Sequence, residues 1–87
     1  FNLIYKPSYQ GHMSAVSPKE SVKSQSRYQL IYALCPLTLK WGTNHSQILQ
    51  THELLVIEQP SPLQEMTITF LPHQSGEQPI AIWTGLQ

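Results

Sequence analysis

Apolar residues recur at two-residue spacing along much of this chain. Phe1, Leu3 and Tyr5 stand at alternating positions before Pro7 stops the run, which is a strand pattern. Tyr28, Leu30, Tyr32 and Leu34 share one side, and after Cys35-Pro36 the apolar set moves to Leu37, Leu39 and Trp41. A one-residue slip beside a proline is what a bulge or sharp bend produces. Residues 27–41 are therefore expected as one bent strand or two short strands joined at Pro36, with Trp41-Gly42-Thr43-Asn44 as the turn that follows.

The second half repeats the pattern with more contrast. Residues 53–58 enclose Leu54-Leu55-Val56-Ile57, apolar on both faces, which reads as a central strand covered on both sides. Residues 65–71 alternate cleanly, with Met66, Ile68 and Phe70 inward, Glu65, Thr67 and Thr69 outward, and Pro72 as the stop. A loop over 73–78, with Gly76 available for positive φ, leads to a last strand over 79–84. Residues 45–52 fit a short helix or an edge strand equally. The connections between 53–58, 65–71 and 79–84 are too short for parallel crossovers, so a meander is expected. The fold class is mainly β: a small antiparallel sheet or open barrel of four to five strands, with one short helix around 45–52 as an option.

Residues 14–26 hold five serines and little apolar bulk, so they read as a flexible linker. Gly11-His12-Met13 before them resembles the remnant that protease cleavage and cloning leave behind. The expected organisation is thus a strand-like segment 1–10, fused or bound as a peptide, then a linker over 11–26 and a β-rich domain over 27–87.

Composition narrows the function classes without naming one. Of the 87 residues 40% are hydrophobic and 11% charged, which excludes both a disordered acidic chain and a histone-like basic one. No run of about 18 apolar residues exists, so no ordinary membrane-spanning helix is encoded. The single cysteine, Cys35, excludes an intramolecular disulfide and a cysteine-based zinc cluster. Net charge is zero, but five cations and one acid fall in residues 1–40, while residues 41–87 carry four glutamates and no Lys or Arg. That asymmetry favours docking of the first part on the second.

Tests for chemistry fail one by one. Every acid is a glutamate, and Glu53, Glu58 and Glu65 sit at strand ends or outward positions, so no acid–base pair emerges. Cys35 lies in apolar surroundings that disfavour a thiolate. His45, His52, Glu53 and His73 have no familiar ligand spacing, and the four glycines are isolated, which argues against metal and phosphate sites. Asn44-His45-Ser46 fits the short N-glycosylation pattern. No catalysis, cofactor or metal is expected.

What remains is interaction with a protein or peptide. A sheet edge offers unpaired N–H and C=O groups to an extended segment. Phe1, Leu3, Tyr5 and Tyr9 supply such a segment, and Tyr28, Tyr32, Lys40, Trp41 and Trp83 are the candidate binding surface. The second reading is a small barrel that stacks single-stranded nucleic acid or a small ligand on those aromatics.

Overall fold

The computed structural model describes residues 11–18, 20–60, 64–76 and 78–87. Eight strands run through them: β1 (Gly11–Val16), β2 (Ser21–Ser24), β3 (Tyr28–Ala33), β4 (Leu37–Trp41), β5 (His45–Leu49), β6 (Leu54–Glu58), β7 (Met66–Pro72) and β8 (Ala81–Leu86). They form two antiparallel sheets, sheet A in the order β1-β8-β3-β6 and sheet B in the order β2-β7-β4-β5. Strand pairs are nested, β1 with β8, β2 with β7, β3 with β6 and β4 with β5. This is the two-sheet arrangement of a jelly roll. The mainly β, antiparallel architecture is the one expected. No helix occurs among the described residues, and none therefore is long and apolar enough to cross a membrane.

The core lies between the sheets. Ile31, Ala33, Ala81 and Trp83 of sheet A meet Leu37, Leu39, Ile68 and Phe70 of sheet B in one buried cluster. Alternation explains the sheet B set: Leu37 and Leu39 are buried while Thr38 and Lys40 face out, and Ile68 and Phe70 are buried while Thr67 and Thr69 face out. The slip at Cys35-Pro36 marks the point where the chain leaves sheet A for sheet B, so 27–41 is two strands in different sheets. Gly42 (φ 63°) closes the β4–β5 hairpin in the left-handed region that favours glycine.

Several expectations are corrected. Residues 11–16 and 21–24, read as linker, are strands β1 and β2, because β8 and β7 offer them complete ladders that composition does not reveal. Residues 45–49 are strand β5 and not helix. The run 54–58 is an edge strand rather than a central one, with Leu54 and Val56 exposed. The meander is also replaced: β6 and β8 belong to sheet A and β7 to sheet B, so each of those short connections crosses between the sheets. On β3 the side shared by Tyr28, Leu30 and Tyr32 is the half-buried outer one, and Gln29, Ile31 and Ala33 are buried.

A buried polar network explains how Gln29 sits in a core. Its Nε2 donates to Ser26 O at 3.0 Å and to Ser24 Oγ at 3.2 Å, and its Oε1 accepts from Trp83 Nε1 at 2.7 Å. Gln59 Nε2 donates to the same Ser26 carbonyl at 3.2 Å. Among the described residues no buried side-chain polar atom lacks a partner. Satisfied networks of this kind hold one arrangement of the elements they join, here β3, β8 and the 24–27 corner.

Candidate functional site

Most antiparallel sandwiches turn polar residues outward. Sheet B obeys: Ser21, Lys23, Thr38, Lys40, Ser46, Thr67 and Thr69 stand on its outer face, joined there by Ile48 and Leu71. Sheet A does not. Its outer positions line up in three cross-strand rows: Ala15–Ile82–Tyr32–Leu54, Met13–Thr84–Leu30–Val56 and Gly11–Leu86–Tyr28–Glu58. Nine of these twelve are apolar or aromatic, and the only ionisable carboxylate among them, Glu58, is at a corner. Met13, Leu54 and Val56 are exposed by 53%, 51% and 54%, and among the described residues β1 and β6 are the edges of the face. Between those edges Tyr28, Leu30, Tyr32, Ile82 and Leu86 are half-buried and Thr84 is buried, so the exposed apolar surface lies along the two sides of the face.

An open groove of about 650 Å³ adjoins the β6 edge, lined by Trp41 and His45 of the β4–β5 hairpin, Leu55 to Pro60, Gln64 and Met66. Trp41 and His45, paired across that hairpin, stack with ring centroids 5.5 Å apart and planes 12° apart. A strand laid beside β6 would therefore meet apolar side chains on both of its faces.

The β5–β6 turn fixes where this edge begins. His52 adopts φ 72°, donates its N–H to Ala33 O at 2.8 Å and places Nδ1 2.7 Å from the Tyr32 hydroxyl. The Gln50 N–H donates to Glu53 Oε1 at 2.6 Å, and the Ala33 N–H to Glu53 O at 2.9 Å. At the other end Arg27 Nε lies 4.0 Å from Glu58 Oε2 and its guanidinium 5.9 Å from the Tyr28 ring. Both charges are half-exposed, so this pair contributes little to stability.

The expected surface residues do not converge. Tyr28 and Tyr32 lie on the outer face of sheet A, Lys40 on the outer face of sheet B, and Trp41 in the groove. Trp83 is 5% exposed and bonded to Gln29 in the core, so it presents no binding surface. Phe1, Leu3, Tyr5 and Tyr9 lie outside the described residues. Leu54, Val56 and Met13 were missed because an apolar residue in a strand is read as core. The signal was available in β6, where four consecutive apolar residues cannot all face one interior.

The histidines with described side chains are separately engaged. His45 stacks on Trp41, His52 bonds Tyr32, and His73 Nε2 lies 2.7 Å from Thr38 Oγ1. Cys35 is half-buried in the bend between β3 and β4, its Sγ 3.9 Å from Ile80 O. Among the described residues no group of three His, Cys, Asp or Glu side chains converges as a metal site would require. Asn44, in the glycosylation-type triplet, is exposed at the tip of the β4–β5 hairpin. No known protein family, no curated protein and no solved structure matches the chain.

Proposed function

We propose that this chain is a non-catalytic interaction module that accepts an extended peptide by strand addition at an edge of sheet A, with residues 1–10 as a candidate strand. The observation that carries the reading is the apolar outer face of that sheet, whose edges among the described residues are β1 and β6. An added strand there gains main-chain hydrogen bonds from the edge and apolar neighbours for alternate side chains, the two ingredients of strand-addition recognition. Fold alone would not support this, since jelly rolls host many functions.

Calorimetric titration of the decapeptide Phe1–Gln10 into a chain of residues 11–87 tests it. The shortened chain retains the whole buried cluster, which spans Val16 to Trp83. Saturable binding is expected, weakened by Val56→Lys if β6 is the acceptor and by Met13→Lys if it is β1. Absence of binding with an unchanged circular-dichroism spectrum removes the proposal.

A second reading rests on the Trp41–His45 stack at the β4–β5 hairpin, where a second open pocket is lined by both rings and by Lys40 from the neighbouring position. Stacked aromatics next to a cation suit a single-stranded oligonucleotide or a flat small ligand. Salt-dependent quenching of Trp41 fluorescence by a short oligonucleotide supports that reading, and unchanged fluorescence at low salt rejects it.

A further inference from the structure

We propose that two copies of this chain pair antiparallel along β6, about a two-fold axis at Val56, and so join their A sheets edge to edge. This rests on the strand-addition reading above, with β6 as the edge and a second copy as the partner.

The β3–β6 ladder shows which backbone groups β6 leaves free. Ala33 N–H donates to Glu53 O at 2.9 Å at one end, and Gln59 N–H donates to Arg27 O at 2.8 Å at the other. Bonded and non-bonded pairs alternate along an antiparallel ladder, and both ends give the same phase. Leu55 and Ile57 therefore direct their N–H and C=O groups to β3, opposite Ile31 and Gln29. Leu54, Val56 and Glu58 direct theirs to the other side, where no described strand pairs with them.

That set is self-complementary. With Val56 opposite its own copy, Leu54 of each chain stands opposite Glu58 of the other, and all three free N–H groups of each chain meet free C=O groups. Moving the axis to Leu55 carries Glu58 past the end of the other strand. Moving it to Ile57 sets Leu54 against Pro60, which has no N–H to give. Side chains follow the same register. Leu54 and Val56, both more than half exposed, gain cover on the outer face. Leu55 and Ile57 of the two copies meet on the inner side, beside the groove lined by Trp41 and Met66.

Charge permits the pairing and nothing on the strand blocks it. Free edges are commonly protected by Lys, Pro or a bulge. Strand β2 carries Lys23, whereas Leu54–Glu58 carries no cation and no proline. Its single charge, Glu58, keeps Arg27 of its own chain at 4.0 Å. The register sets the two Glu58 residues about 14 Å apart along the strand. The chain has zero net charge, so two copies do not repel at long range.

The contact is small. Five residues at about 3.4 Å each, on a sandwich edge about 10 Å thick, give roughly 17 × 10 Å. A stable complex buries roughly 800 Å² on each side. The dimer is therefore weak and reversible, and the dilute chain is a monomer whose edge can take a peptide.

Sedimentation velocity on the 87-residue chain from about 1 μM to 1 mM, the span of weak association, should show the weight-average mass climbing from 9.9 kDa toward twice that value. Val56→Lys sets lysine against lysine and should hold the mass at 9.9 kDa. In a Cys35→Ser background, oxidation of the concentrated chain should link Val56→Cys into a covalent dimer and leave Leu54→Cys mostly thiol, although the two positions are about equally exposed. The cross-linking result stands even where Val56→Lys loses its circular-dichroism spectrum. Equal linking at both positions, or linking at Leu54→Cys alone, overturns the assignment. So does a monomer at every concentration, or a dimer that folded Val56→Lys leaves intact. Saturable binding of the decapeptide to a chain that never dimerises would leave the functional reading standing while this inference falls.

Discussion

Replacing Gln29 by Leu measures how far the polar network holds β3, β8 and the 24–27 corner together. Leu fills nearly the same volume, so the cavity contribution is small. The change removes the acceptor that Trp83 Nε1 uses at 2.7 Å and leaves that N–H in a core where its side chain is 5% exposed. Ser24 Oγ still receives the Ser26 N–H at 3.0 Å, and Ser26 O still receives Gln59 Nε2. The loss therefore falls mainly on one buried donor, which costs about 1–3 kcal/mol. At about 4–8 °C per kcal/mol for a domain of this size, the expected drop in melting temperature is roughly 5–20 °C. The assay is urea unfolding followed by far-UV circular dichroism, with Trp83→Phe as the second arm of a double-mutant cycle. Phe has no N–H, so in that background Gln29→Leu should cost less than about 0.5 kcal/mol. A full-sized loss there would refute the reasoning and assign the cost to packing.

Three further outcomes follow from the same structure. Gly85→Ala places a methyl against Ser26 Oγ and the Trp83 ring, and should destabilise by about 1–3 kcal/mol in the same urea assay. His52→Val should cost about 1–2 kcal/mol more than His52→Asn, because His52 holds φ 72° and a β-branched residue resists that region; equal costs would remove backbone strain as the cause. The double change Leu54→Lys with Val56→Lys should leave the urea midpoint within about 0.5 kcal/mol, since both side chains are half in water, and should lower binding of an apolar dye; a large loss of stability would show that the outer face is already covered.

Where alternation was regular the sequence could be read directly. In β4 and β7 each buried position is apolar and nearly every outward one is polar, so both strands and their facing were legible, as was the Gly42 turn. Sheet A resisted because it is apolar on both faces. Tyr28, Leu30 and Tyr32 carry more apolar bulk than Gln29, Ile31 and Ala33, and bulk alone selects the wrong side. Only the partners of Gln29, at Ser24, Ser26 and Trp83, show why a glutamine belongs inside. Those partners are as many as 54 residues away, beyond any local pattern. Strands β1 and β2 were hidden for a related reason. Serine-rich segments gain strand structure from the ladders of β8 and β7, not from their own propensity. Of the candidate surface, Tyr28 and Tyr32 could be named from the sequence, but not that they stand on an apolar outer face of sheet A.

Amide hydrogen exchange on the chain with and without residues 1–10 tests most directly whether a strand is added at sheet A. In a free edge strand the N–H groups that point away from the sheet exchange with water, while those in a ladder are protected. With residues 1–10 present, the outward-pointing amides of one edge strand, β1 or β6, should exchange about tenfold more slowly or better, and removal of the segment should abolish that protection while β3 and β8 stay unchanged. Equal exchange in the two chains at both β1 and β6 would contradict the account.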